Sequence, residues 1–550
     1  MFSTSFLDWG LVLAYFAFLA AIWLRLIGRP SDAADYLVAG RRVTLPALVA
    51  TLVVSWYGGI LGVGEYSYRY GVSNWLVFGV PYYVGALLFA YAFARRAREA
   101  ALYTIPDLLA QSFGRGPALM GAVAVFVAAA PAAYILMLGT LFAAMTGLPL
   151  AGCVIAAAVF SLFYIHRGGL RAVVLSDQVQ FVLMYAGMAL ILCFLVAQHG
   201  GLSFLRRSLP ASHFTWNGGN PASAILVWYF IALSTLVDPG FWQRAYAARD
   251  PQVARRGVLW SVAFWIVFDF MTTTTGMYAR AVLPHLADPV FAYPALGKIT
   301  LPPFALGLFY LGMIATVMSA IDAYGFVAGA TIGRDLIWRL RGETSEERIA
   351  GYSKLGLWIA CAFATVLALT IPTVIGLWHD LGSIVTPVLL LPVATALLGR
   401  MRLSSRVTLL AMTAAFAVSL GWIVARVADA ALHLDLGGRC EQVWMVDPVD
   451  LMRLGIVERH PVDEHADPAL REAANREIGV ADAVARIRVG IGARQRGERH
   501  GRVLAPIAGH ELFAVQRAAS QRAQRIRARG ADLHLGKRHH AAQRVVARRQ

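Results

Sequence analysis

Four carboxylates, Asp177, Asp238, Asp269 and Asp322, lie inside or beside long apolar runs of this 550-residue chain. At membrane depth a carboxylate costs on the order of 3 kcal/mol or more, so such a residue faces a bundle interior or water and invites a functional reading. Asp322 follows Ser319 by three residues, which puts both on one helix face. It could bring negative charge to a bound cation, carry a proton, or only hydrogen-bond a neighbouring helix. Asp269, in "FDFMTTTTG", has Thr272 and Thr273 one turn along to satisfy it and reads as structural. Asp238 opens an Asp-Pro-Gly interruption in "WYFIALSTLVDPGFWQR", and "VVSWYGGILGVGEYSYRYG" carries a comparable interruption at Gly58-Gly59. Proline removes a backbone donor and glycine loosens the ladder, so both segments are candidates for unwinding. Freed carbonyls can coordinate a cation, and half-helix ends can hold polar solute groups. Taken singly, each interruption can equally serve close helix packing.

The elements that must position these groups are membrane helices. The chain is 58% hydrophobic and 15% charged, with a mean hydropathy of +0.60, well outside the soluble range. Its net charge of +17 comes from arginines between apolar runs and in the tail, so a membrane explains it and nucleic-acid binding is not expected. Cys153, Cys193, Cys361 and Cys440 are too dispersed for a metal knuckle or a disulfide framework. The first apolar run lacks the basic leader of a cleavable signal, and no P-loop supports ATP-driven pumping.

Twelve runs approach the roughly 20 residues a spanning helix needs, near 8–28, 45–70, 74–96, 118–145, 149–165, 178–198, 222–243, 256–280, 303–328, 351–372, 375–398 and 405–430. Alternate connections hold 22 and 5 Arg and Lys residues. The positive-inside rule then predicts an N-terminus outside the inner cell membrane. The two interruptions lie five spans apart, and because five is odd the second block inserts upside down relative to the first. That is the pattern of an inverted-repeat transporter. The expected organisation is a flanking helix and loop (1–44), a first five-helix repeat (45–200), a second (221–400), a flanking helix (401–436) and a basic, low-order tail (437–550). The tail has 20 arginines and one lysine, with Trp444 and Phe513 its only aromatics. On the outside it would contradict the charge rule, which suggests a frame change or a divergent appended segment.

Five separated motifs then resemble the sodium:solute symporter family: "DYLVAGRR" (35–42), "YTIPDLLAQSFG" (103–114), "GGLRAVVLSDQVQ" (168–180), "QRAYAARDPQVARRG" (243–257) and "ATVMSAIDAYGFVAGATIGRDL" (315–336). The resemblance covers about residues 8 to 430. It implies an all-α, leucine-transporter-type fold, with one extra helix before two inverted five-helix repeats and a further flanking helix after them. No cofactor is implied beyond Na+ as the coupling ion, and no covalent chemistry.

Carried over residue by residue, the resemblance implies a sodium site from the carbonyls of Val53, Trp56 and Thr316 and the hydroxyl of Ser319. Ala320 departs from the family, which usually has a second hydroxyl there. A hard cation prefers oxygen ligands, so Asp322 is the candidate to compensate. Asp177 matches the aspartate at the inner end of the family's ion pathway, although a cap of the following helix competes as an explanation. The implied solute contacts are Tyr57, Gly58, Trp228, Ser234, Asp238 and Gln243. Trp228 has an interfacial reading as well. No motif names the solute. The expected function is sodium-driven solute import by alternating access. The alternatives are proton coupling, motivated by Ala320 and Asp322, and a transporter-like sensor, which needs a kinase region downstream.

Overall fold

The computed structural model describes residues 5–26, 32–343, 345–371, 373–398 and 403–435. The expected tail at 437–550 lies outside the described residues. Among the described residues ten helices are long and apolar enough to cross a membrane, and two shorter apolar ones, Phe6–Ile22 and Leu150–Leu162, accompany them. In hydrocarbon every backbone polar group must be satisfied within its own segment, which is why such sequence folds as helix. Among the described residues there is no strand, only a parallel bridge of Val43 with Ala248.

A flanking helix, Phe6–Leu26, precedes a block made of Leu45–Tyr70, Trp75–Ala100, Arg115–Thr146 and the long Leu150–His199 helix. Gly169 divides that last helix in two. Its φ of 59° and ψ of −163° interrupt the ladder, and a Cβ there would lie 2.6 Å from the Tyr36 carbonyl. The second block comprises Ala222–Ala247, Pro251–Val282, Ala305–Arg341, Glu346–Thr370 and Val374–Leu398. Ser405–Asp435 follows. Two helices are enclosed on nearly every side: Leu45–Tyr70, here the first broken helix, and Ala305–Ala330, here the central helix. The N-terminal flanking helix helps to fix the central one, because Asp8 Oδ1 accepts from Phe304 N at 2.9 Å and Gly307 N at 2.8 Å.

Both interruptions are real, and they differ in kind. In the first broken helix, Tyr57–Gly59 tightens to a 3-10 turn between Leu45–Trp56 and Ile60–Tyr70. In the second, Ala222–Ile231 passes into a 3-10 segment, Ala232–Val237. Asp238 is then extended (φ −63°, ψ 119°), and helix resumes at Pro239–Ala247. A third interruption, not anticipated above, separates Arg115–Ala129 from Ala132–Thr146, with Ala130 extended just before Pro131.

Gly58 does more than loosen its turn. A Cβ built there would fall 2.1 Å from Ala320 Cβ and 2.8 Å from the Tyr134 ring. The first broken helix therefore meets the central helix through Gly58 against Ala320. Gly59 meets Trp378 in the same way, at 1.9 Å. Gly58→Ala must push two enclosed helices apart, an overpacking cost of about 1–3 kcal/mol. The expected result is a lower unfolding temperature in detergent and weaker uptake, checked by thermal denaturation against Gly10→Ala, where a Cβ meets nothing within 4 Å.

Candidate functional site

The three interruptions converge on one cavity of about 180 Å³. Trp56, Tyr57 and Gly59 come from the first broken helix, and Ala130, Ala133 and Tyr134 from the Pro131 break. Ser234, Asp238 and Pro239 come from the second broken helix. Trp265 and Asp269 of Pro251–Val282, Tyr324 of the central helix, Trp378 of Val374–Leu398 and Tyr83 are also in the wall. Helix interruptions leave room between side chains at mid-bundle, so the local weakness of Gly and Pro places the cavity there.

Two carboxylates face it. Asp238 Oδ1 caps the resumed helix, accepting from Phe241 N at 3.0 Å, and Oδ2 accepts from Tyr324 Oη at 3.0 Å. Asp269 accepts from the Tyr57 hydroxyl on one oxygen and the Tyr83 hydroxyl on the other. Thr272, read above as a partner for it, instead donates its hydroxyl to the Phe268 carbonyl at 3.0 Å, and Thr273 accepts from Asn74 at 2.9 Å.

A second polar centre is built on Asp177, which is fully buried. Ser319 Oγ donates to its Oδ1 at 2.6 Å, and Thr51 donates to Oδ2. Arg244 Nη2 lies 4.0 Å from Oδ2 and donates to Thr51 Oγ1 at 3.3 Å. Arg244 is itself buried, and its Nη1 reaches Gln243 Oε1 at 3.1 Å. Asp177 thus joins the first broken helix, the central helix and the resumed half of the second broken helix. It lies nine residues beyond Gly168, inside its helix, so capping does not explain it.

The expected residues separate accordingly. Trp56, Tyr57, Ser234 and Asp238 line the cavity, while Gly58 is the contact to Ala320 and Tyr134 beside it. Trp228 packs on Phe78 at 4.7 Å in a satellite cluster and is not among the lining residues. Gln243 lies with Arg244, its Nε2 3.4 Å from the Leu37 carbonyl. Of the expected cation ligands, the Val53 carbonyl faces Trp265 Nε1 at 3.4 Å. Thr316 uses its hydroxyl on Gly312 O at 2.7 Å. Ser319 donates its proton to Asp177, which leaves oxygen lone pairs for a cation. Ala320 is fully buried, its methyl against Gly58. Asp322 is fully buried within electrostatic reach of Tyr15 of the flanking helix, whose hydroxyl accepts from Gln180 at 2.7 Å. Sequence reasoning passed over Arg244 and looked for the partners of Asp269 on its own helix, where Tyr57 and Tyr83 supply them from others. Arg244 carries a usable signal, as a basic residue five positions beyond a helix break.

Comparison with known proteins settles the family. The profile described as the sodium:solute symporter family matches residues 36–400. The chain belongs to the sodium:solute symporter family. This is a family of transporters, not enzymes. The symporter is 25% identical over 323 residues to the sodium/pantothenate symporter of Escherichia coli, covering 56% of this chain and 67% of that one. It is 26% identical over 384 residues to a high-affinity choline transporter of Drosophila melanogaster, covering 64% of this chain and 60% of that one. The osmoregulated proline transporter of Bacillus subtilis is 24% identical, covering 68% and 82%. The matches thus span between 60% and 67% of the first two relatives. A solved Na+-coupled sialic acid symporter superposes with a TM-score of 0.62 at 14% identity, covering 76% of this chain and 96% of that one. The fold is the leucine-transporter type, and the symporter is a multi-pass membrane protein.

Proposed function

We propose that this symporter couples the inward movement of Na+ to the import of a small organic solute by alternating access. It would lie in the inner membrane with its N-terminus outside. The observation that carries the reading is the Asp177 centre, where Thr51 and Ser319 bring the first broken helix and the central helix onto one carboxylate. A cation held between these helices by the carbonyls of Val53, Trp56 and Thr316 and the Ser319 hydroxyl favours the state in which they are together. The solute then enters the cavity beside the breaks. A conformational equilibrium moves only by the difference in affinity between its states, and here the cation supplies that difference. Release into low internal Na+ reopens the contact inward, and the membrane potential adds about 2.3 kcal/mol per charge per 100 mV. Asp177 and Arg244 hold the pathway's charge, and Asp322 adds a carboxylate one turn beyond Ser319.

The test is uptake of labelled pantothenate, choline, lactate and proline into proteoliposomes under an imposed Na+ gradient or an imposed proton gradient. Accumulation that collapses when Na+ is replaced by K+ is the expected result. Accumulation that follows pH and ignores Na+ overturns the ion assignment and supports proton coupling, the reading favoured by Asp322 lying fully buried beside a helix position with no hydroxyl.

A further inference from the structure

The cavity is chemically one-sided. Of its 22 lining residues nine are aromatic and two are aspartates, and none of those described is Arg, Lys or His. The buried guanidinium of Arg244 is not part of the wall and is engaged by Thr51, Gln243 and Asp177. An anionic solute would therefore meet two carboxylates and the negative faces of aromatic rings, with no basic side chain among the described lining residues.

At the second of the three breaks the backbone seat for an anion is already filled. The usual seat for a carboxylate in such a bundle is a half-helix N-terminus at a break. At the second break that position is taken, because Asp238 itself accepts from Phe241 N at 3.0 Å.

A cation finds the opposite. Asp269 is fixed from both sides by the hydroxyls of Tyr57 and Tyr83, one on each oxygen, and each oxygen keeps a further lone pair. An arriving positive charge also favours the ionised carboxylate. In the same wall Trp56 and Trp265 stand 5.8 Å apart between ring centroids, and Tyr134 stacks at 5.4 Å on Tyr324, the partner of Asp238. Electron-rich rings and a carboxylate lining one cavity are a setting in which desolvated ammonium groups bind.

We propose that the cavity selects an organic cation, with Asp269 as the counter-charge to an ammonium head and the aromatic rings of the same wall as its cation–π partners. The inference rests on this cavity being the solute site of the proposed symporter. The experiment is equilibrium binding to the purified full chain in detergent, using tetramethylammonium, choline, its uncharged tert-butyl isostere dimethylbutanol, and pantothenate as the anion. Choline is expected to bind at least about tenfold more tightly than its isostere, the scale of a desolvated cation–π contact. Asp269→Asn should bring the two together, and Tyr83→Phe, which keeps the ring, should weaken choline by a smaller factor. Binding of dimethylbutanol or pantothenate as tight as choline, no binding by either cation, or an undiminished preference in Asp269→Asn each overturns the inference. Should that variant fail to fold, the comparison of ligands on the unaltered chain still decides. Choline uptake that ignores both gradients would leave this inference standing and remove the coupling reading. Na+-driven pantothenate uptake with no choline uptake would do the reverse.

Discussion

Asp177→Asn is expected to abolish concentrative uptake at ordinary Na+ and to raise the Na+ concentration for half-maximal rate by at least about tenfold, given the cost of removing one partner from a buried charged centre. The carboxylate accepts from Ser319 and Thr51 with one oxygen each. An asparagine has a single oxygen, so one of these hydroxyls would face an NH2 group instead. Arg244 would also lose its counter-charge while staying buried. Breaking a buried pair from one side costs about 3–5 kcal/mol, and a separation of 4.0 Å places this one toward the lower end. The loss should appear in the unfolding temperature as well as in transport. The double variant Asp177→Asn, Arg244→Gln separates the two effects: removing both charges should restore much of the stability and none of the Na+ dependence. Recovery of both would reduce Asp177 to a structural anchor.

The second large effect is expected at the arginine-rich end of the bundle. Arg334 Nη1 donates to Asp107 Oδ1 at 2.7 Å and to Asp335 Oδ1 at 2.9 Å, and Arg339 Nη2 reaches the same Asp107 oxygen at 2.8 Å. The Arg334 guanidinium also lies 4.9 Å from the Tyr103 ring centroid. These contacts tie the connecting helix Ile105–Phe113, whose capping box uses Thr104 and Asp107, to the π-helical end of the Ala305–Arg341 helix. Arg334→Met keeps the side-chain volume and leaves two buried carboxylates to one arginine. The expected cost is about 3–5 kcal/mol, read as a fall in unfolding temperature.

The contribution of Asp107 to the pH dependence has a definite sign. Burial pushes the Asp107 carboxyl up, but Arg334 and Arg339 outweigh it and hold it below the ordinary carboxylate range. A depressed folded value means the contribution is complete above the unfolded value, about 3.9, and is lost as pH falls through the lower folded one. In Arg334→Met the folded value rises, so acid destabilisation should begin at higher pH than in the unaltered chain. Superimposable acid-unfolding curves would show that Arg334 does not hold the Asp107 carboxyl down.

What the sequence determined by itself is whatever depends on neighbours along the chain. Apolar runs of spanning length become helices because lipid offers the backbone no other partner, and all twelve runs correspond to helices. Gly58-Gly59 and Asp238-Pro239-Gly240 mark breaks because glycine and proline act on their own turn. Pro131 carries the same local signal and was legible in principle. Five-span spacing was enough for the inverted repeat, since an odd count fixes orientation.

Only the tertiary structure decided which polar side chains meet. Asp269 looks self-satisfied by the threonines that follow it, yet its partners are Tyr57 and Tyr83, 212 and 186 residues away in sequence. Arg244 reads as one more basic residue near a membrane edge, and the fold buries it beside Asp177. Ser319 and Asp322 do share a helix face, but Ser319 turns to Asp177 while Asp322 sits near the flanking helix at Tyr15. Helical periodicity places a side chain on its own helix and says nothing of which neighbour covers it. Packing between helices makes that choice, and with it the identity of the groups that line the cavity.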